Sequence, residues 1–171
     1  EDDSRQMVPA DLTRVPLKSG EMEFMVGILE DRMNKAPANA LTIYQRVAQA
    51  DPSNYLARVY SANIYQTQKN WDRAIAEREA ALAANKDDNL LHLEAGLTYA
   101  QAGKLTEAVA RLKTATEKMP RSAQAWYTLG LVQDSAGDKP GAKESYAKAI
   151  ANANSRQAQL VAAAKGKMGG H

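Results

Sequence analysis

From Ser19 onward, apolar residues recur at spacings of three and four, the signature of helices that bury one face. Polar, proline- or glycine-bearing breaks interrupt the pattern at regular places: KAPAN, ADPSN, QKN, NKDDN, QAGK, MPRSA, AGDKPG and ANANS. The segments between them run to about 12–15 residues, the usual length of a packed helix. No stretch alternates apolar and polar residues for long enough to predict a strand. Pro37 and Pro140 stand where a helix tolerates proline, in its first turn. Asn70, Asp138 and Ser155 stand where an N-cap is expected. Residues 1–18 carry two prolines and no helical period, which predicts an extended N-terminal arm. The fold class is all-α.

The chain also repeats itself. A shift of 34 residues superimposes Gly96 on Gly130, Gly103 on Gly137, and Tyr65 on Tyr99. The same shift aligns Ala40, Ala74, Ala108 and Ala142, then Ala81, Ala115 and Ala149. Tyr44, Arg78, Leu112 and Tyr146 form a further series, and Pro52 and Pro120 coincide at the unit end. Glycine costs about 1 kcal/mol against alanine inside a helix, so a glycine that recurs at a fixed period has a packing reason. Gly96 is expected to let its helix cross close to Ala108, and Gly130 to do the same against Ala142. Gly103 is expected to end a helix at its turn.

This spacing resembles the tetratricopeptide repeat, a helix–turn–helix unit of 34 residues. Unit 89–122 supplies Gly96, Tyr99, Gly103, Ala108, Leu112, Ala115 and Pro120. Unit 123–154 supplies Trp126, Leu129, Gly130, Gly137, Ala142, Tyr146 and Ala149. Unit 55–88 keeps Ala62, Tyr65, Ala74 and Ala81, and places Lys69, Arg78 and Lys86 where the family prefers glycine, an apolar residue and proline. Unit 21–54 carries the signature only in its second half; its first helix, EMEFMVGILEDRMNK, keeps the period alone. The resemblance implies a right-handed α-solenoid of about four hairpins over residues 19–154. Stacked hairpins share one continuous core that a single hairpin cannot bury, and the last of them needs a cover. Segment 155–168 is expected to be the capping helix, followed by a flexible tail, GKMGGH, ending at His171.

Composition adds little and charge somewhat more. Hydrophobic residues make up 44% and charged residues 25%, and the formal net charge is +2, too small to argue for nucleic acid or a membrane surface. Residues 1–31 carry eight acidic and three basic side chains, while residues 139–171 carry six basic and one acidic. These oppositely charged ends permit salt-sensitive head-to-tail self-association. The basic end lacks interleaved aromatic residues, which argues against nucleic acid. Without cysteine there is no disulfide or thiol chemistry. No apolar run approaches the roughly 20 residues that cross a bilayer. The first residue is Glu1, and removal of a secretion signal is favoured over trimming, so an extracytoplasmic, periplasmic or secreted, setting is the expectation over a cytoplasmic one.

Catalytic constellations are not found. The GK at Gly103 and Lys104 lacks the earlier glycine and the following hydroxyl residue of a phosphate loop; Thr98 and Leu105 stand there instead. His92 and His171 are far apart with no cysteine nearby, no loop has calcium-binding spacing, and no serine sits in a nucleophile elbow. No enzyme activity, cofactor or metal is expected.

The resemblance instead implies a concave groove lined by the first helix of each unit, holding a protein or peptide segment. Carried over, those positions are Met22, Met25, Leu29 and Met33; Leu56, Val59, Asn63 and Gln66; Leu90, Leu93 and Leu97; and Gln124, Tyr127 and Leu131. Of a carboxylate-gripping set only Asn63 matches, with Val59, Glu94, Gln124 and Thr128 where the others would be needed, so such a clamp is not expected. Methionine adapts its shape to varied partners, which suits an apolar helix or extended segment. The expectation is a non-catalytic interaction scaffold or assembly factor. The alternative is a structural subunit of a larger complex, held by its arm and charged ends.

Overall fold

The computed structural model describes residues 19–33 and 35–169. The expected arm, residues 1–18, lies outside them. The described residues form α1 (Ser19–Arg32), α2 (Pro37–Ala50), α3 (Tyr55–Thr67), α4 (Trp71–Ala84), α5 (Asn89–Gln101), α6 (Leu105–Lys118), α7 (Ala123–Ser135), α8 (Lys139–Asn152), a single 3-10 turn (Ser155–Gln157) and α9 (Ala158–Gly169). No strand occurs among them. Each odd-numbered helix pairs with the next, successive hairpins stack, and α9 closes the far end against α8. The expected frayed tail is instead mostly helix: α9 continues through Gly169.

The caps explain the regularity. Asn54, Asp88 and Ser122 recur every 34 residues, and each side chain accepts the backbone N–H of the helix it opens: Asn54 from Ala57 at 3.3 Å, Asp88 from Leu90 at 2.9 Å, and Ser122 from Ala125 at 3.2 Å. The second helices rely less on this device. Asp138 accepts from Gly141 at 3.0 Å, as expected, but Asn70 occupies the cap position without a side-chain cap bond. The expected cap at Ser155 falls one residue earlier: Asn154 accepts from the Arg156 N–H, and Gln157 reaches back to the Asn154 N–H.

The turn inside each hairpin is also periodic. Lys35, Lys69, Gly103 and Gly137, again 34 apart, all take positive φ. After α3, Lys69 N–H donates to Gln66 O at 3.0 Å and Asn70 N–H to Tyr65 O at 2.8 Å; Gly103 with Lys104, and Gly137 with Asp138, repeat the pattern. This is the paired bonding that ends a helix on a left-handed residue. Two of the four sites are lysine, which accepts a backbone strain that glycine does not have. The first turn is one residue longer, and Ala36 N–H donates to Glu30 O at 2.8 Å.

The close helix crossing differs from the expected pairing in its partner. A Cβ on Gly96 would stand 2.6 Å from Leu112 Cγ, while Ala108 offers only its carbonyl oxygen, at 3.4 Å. On Gly130 it would stand 2.7 Å from the Tyr146 ring, and Ala142 is not among the nearest contacts. The glycines therefore make room for the large side chain one helical turn beyond the alanines. Gly27 does the same for Tyr44, at 2.6 Å. The longer first turn moves it one place out of the 34-residue register, which hid it in the sequence. Ala40, Ala74, Ala108 and Ala142 are nonetheless fully buried where the helices meet.

Candidate peptide-binding groove

The large apolar side chains that remain exposed are distributed very unevenly. Met22, Met25, Val26 and Leu29 lie on α1 and Met33 in the turn after it; Leu56 lies on α3, and Leu90 and Leu97 on α5. None of the exposed large apolar residues among the described ones lies on α2, α4, α6, α8 or α9. Met33 apart, all of them lie on first helices, where the family resemblance implies a groove. Met33 is the most open, at 74%.

Between α1, α3 and α5 the surface dips into a depression of about 240 Å³, lined by Arg32, Leu56, Val59, Asn63, Leu90 and Glu94. Next to it Gln66 Nε2 donates to Gln101 Oε1 at 2.5 Å, joining the far ends of α3 and α5. The depression thus brings together Leu56, Val59, Asn63 and Leu90, with Gln66 beside it, while Leu97 is exposed farther along α5. It removes others. Leu93 is only 7% exposed and belongs to the core with Leu112, Ala125 and Leu129. Tyr127 and Leu131 are half-buried against the cluster of Ala142, Tyr146 and Ala164, which the capping helix shares, rather than in an open groove. Gln124 is exposed on α7 and lies within 3.4 Å of the Thr128 hydroxyl.

The floor holds a polar cluster that sequence spacing did not reveal. Arg78 sits where the other hairpins place Tyr44, Leu112 and Tyr146, and it is 4% exposed. Its Nη1 donates to Glu94 Oε2 at 2.6 Å and its Nη2 to Asn63 Oδ1 at 2.5 Å. Burial pushes the Arg78 pKa down, and the Glu94 carboxylate opposes this. A guanidinium fits here because two groove-facing residues supply acceptors for it. Arg78 was visible in the sequence as a departure from the repeat; the sign that it marked something was Glu94, a carboxylate 16 positions on, among leucines.

Charge at the two ends is partly neutralised within the chain. Arg46 pairs with Glu23. Asp134 meets Lys139 at 2.5 Å and Lys167 at 3.8 Å, and Glu144 meets Lys148 at 2.7 Å. No group of three or more histidine, aspartate or glutamate residues among the described ones is arranged to hold a metal ion.

Comparison with known proteins bears on the fold. Tetratricopeptide repeat profiles match residues 32–97 and 93–157. A TPR repeat-containing protein of Pseudomonas aeruginosa is 32% identical over 75 residues, which cover 44% of this chain and 71% of that protein. The chain belongs to the tetratricopeptide repeat family. Solved structures share the fold. MamA from Desulfovibrio magneticus RS-1 superimposes with a TM-score of 0.69 at 20% identity, over 78% of this chain and 75% of that one. A further MamA crystal structure gives 0.68 at 23% identity, over 90% and 88%. PilF of Pseudomonas aeruginosa gives 0.69 at 20% identity, over 87% of this chain and 65% of that one. Tetratricopeptide repeat proteins are in general non-catalytic scaffolds for protein interaction. Among the described residues no helix is long and apolar enough to cross a membrane.

Proposed function

We propose that this tetratricopeptide repeat chain binds an apolar protein segment, helical or extended, along the face of α1, α3 and α5. The observation that carries the reading is that every exposed large apolar side chain among the described residues lies on those three helices or, for Met33, in the turn that follows α1. Apolar surface gathered on one face favours a partner that buries it, at about 25 cal/mol per Å² removed from water. The methionines on α1 adapt to the partner's shape, and Leu56, Leu90 and Leu97 supply the firmer contacts. Asn63 and Glu94, already engaged by Arg78, add a polar point that fixes the segment's register. The occupant makes the chain an adaptor or assembly factor.

The experiment compares Leu29→Glu and Leu97→Glu with Lys113→Glu on α6, using the protein that copurifies stoichiometrically with the wild-type chain. Both groove variants are expected to lose that partner with unchanged thermal melting, and the α6 variant to keep it. Equal recovery by all three overturns the reading. Leu93→Glu is unsuitable, because Leu93 belongs to the core.

A further inference from the structure

A second concavity opens on the opposite side of the stack. Between α4 and α6 lies a cleft of about 410 Å³ whose lining includes Glu79, Lys86, His92, Arg111 and Lys118. At about 100° per residue, His92 stands roughly 140–160° around α5 from Leu90, Glu94 and Leu97, so the cleft and the groove share a helix but no surface.

The repeat register relates the cleft to its neighbour one hairpin later. His92 occupies the position that Trp126 takes one hairpin later. Trp126 packs there with its Nε1 donating to Pro120 O at 2.9 Å. Lys86 is the counterpart of Pro120, and its backbone meets the His92 ring. The Trp126 position also borders a cleft, of about 370 Å³, so what sets the His92 cleft apart is its lining. Imidazole also has a second nitrogen: His92 is 9% exposed, and its Nδ1 is buried without a hydrogen-bond partner.

Charge distinguishes this cleft from its neighbour. Arg111 is held by Glu79. Lys86 and Lys118 are exposed, and neither is paired with a carboxylate among the described residues. Three cations therefore face one carboxylate. In the α6–α8 cleft, Lys113 and Lys148 face Glu117, Asp138 and Glu144. An anion is thus favoured in the first cleft and repelled in the second. Burial, Lys118 and Arg111 all disfavour a proton on His92, while Glu79 and the Lys86 backbone partly oppose them. A ligand that supplies negative charge reverses that balance.

We propose that the α4–α6 cleft binds a doubly charged oxyanion, a phosphoryl group free in solution or carried on a partner, with Lys86 and Lys118 as counter-charges and His92, protonated on binding, as a third positive charge in the cleft wall. Two negative charges match the two cations, Lys86 and Lys118, that remain once Arg111 is paired with Glu79. Binding takes up a proton onto the His92 ring, which borders the cleft, and the imidazolium adds its charge to those of Lys86 and Lys118.

The test follows the His92 ring by nitrogen–proton NMR across pH, with His171 as internal reference. The probes are inorganic phosphate, a phosphoserine peptide and the same peptide with glutamate, each against sodium chloride of equal ionic strength. Expected are a saturable shift with phosphate or phosphoserine, a raised His92 pKa when bound, and about tenfold weaker binding in Lys86→Gln/Lys118→Gln. Tighter binding of the phosphopeptide than of phosphate identifies a partner-borne group; the reverse identifies a free ligand. No saturable shift with either, or equal affinity in the double lysine variant, overturns the proposal. Leu97→Glu leaves phosphate binding unchanged, so this test is independent of the groove.

Discussion

Arg78 Nη1 lies 2.6 Å from Glu94 Oε2 and ties the second hairpin to the third through an ion pair whose guanidinium is buried. Buried pairs often contribute less than apolar packing of the same shape, whereas loss of one partner leaves a charge unmatched. Arg78→Leu, the residue found at Leu112, is expected to raise stability by about 1–2 kcal/mol in urea unfolding. Glu94→Ala is expected to lower it by about 1–3 kcal/mol, less than for a fully buried partner because Glu94 is partly solvated. A double-mutant cycle checks both. If Arg78→Leu is the more damaging change, the pair holds the stack together.

Gly96 and Leu112 compete for one volume. Gly96→Ala gains helix propensity of about 1 kcal/mol but places a methyl group 2.6 Å from Leu112 Cγ, and overpacking costs about 1–3 kcal/mol. A net loss is expected, with strong coupling: in a Leu112→Ala background the same substitution becomes neutral or favourable. Additive effects of the two changes would contradict the contact.

Lys69 holds a φ of 56°, a conformation that costs a residue with a side chain about 1–2 kcal/mol. Lys69→Gly removes that strain but adds unfolded-state freedom of about 0.5–1 kcal/mol. The expected net gain is about 0.5–1 kcal/mol in chemical unfolding. Gly103→Lys, the reverse change one repeat later, should lose a similar amount.

His92 makes stability depend on pH. Its folded-state pKa lies below the ordinary histidine value because of burial, Lys118 and Arg111. The unfolded chain therefore binds the proton more readily, and the contribution is complete above the unfolded value and lost as pH falls through the folded one. Urea midpoints measured down from pH 7 into the acid range should fall in the wild type, and fall less in His92→Gln. Parallel profiles would show that His92 does not carry the effect.

Tyr146 is fully buried with its hydroxyl unpartnered, and burial pushes its pKa up to about 12. Tyr146→Phe is expected to be neutral or to stabilise by up to about 1 kcal/mol, read from thermal and urea unfolding. A clear loss would point to a partner for the hydroxyl.

Much of the fold was legible because backbone geometry imposes a period on small residues. Helices that cross closely leave room for little more than alanine, and Ala40, Ala74, Ala108 and Ala142 keep the 34-residue beat. The beat identifies positions and not contacts. It could not show that Gly96 yields to Leu112, and the longer first turn carried Gly27 out of register. The groove was less legible because α5 is packed on several sides. Leu90, Leu93 and Leu97 read alike as leucines at helical spacing, yet Leu93 is claimed by α6 and α7. Buried polar groups were least legible: Arg78 and His92 matter through what lies across the stack from them, which sequence neighbours do not reveal.

The identity of the turn residues grades the stack from one end to the other. Lysine closes the first two hairpins and glycine the last two, so the first half carries backbone strain that the second half escapes. In repeat arrays each unit answers mainly to its neighbours, and such a difference becomes an order of melting. Backbone amides of α1–α4 should exchange with deuterium before those of α5–α8. The methionine-bearing end is then the part that yields first, and a bound segment would be laid down on a surface still being shaped.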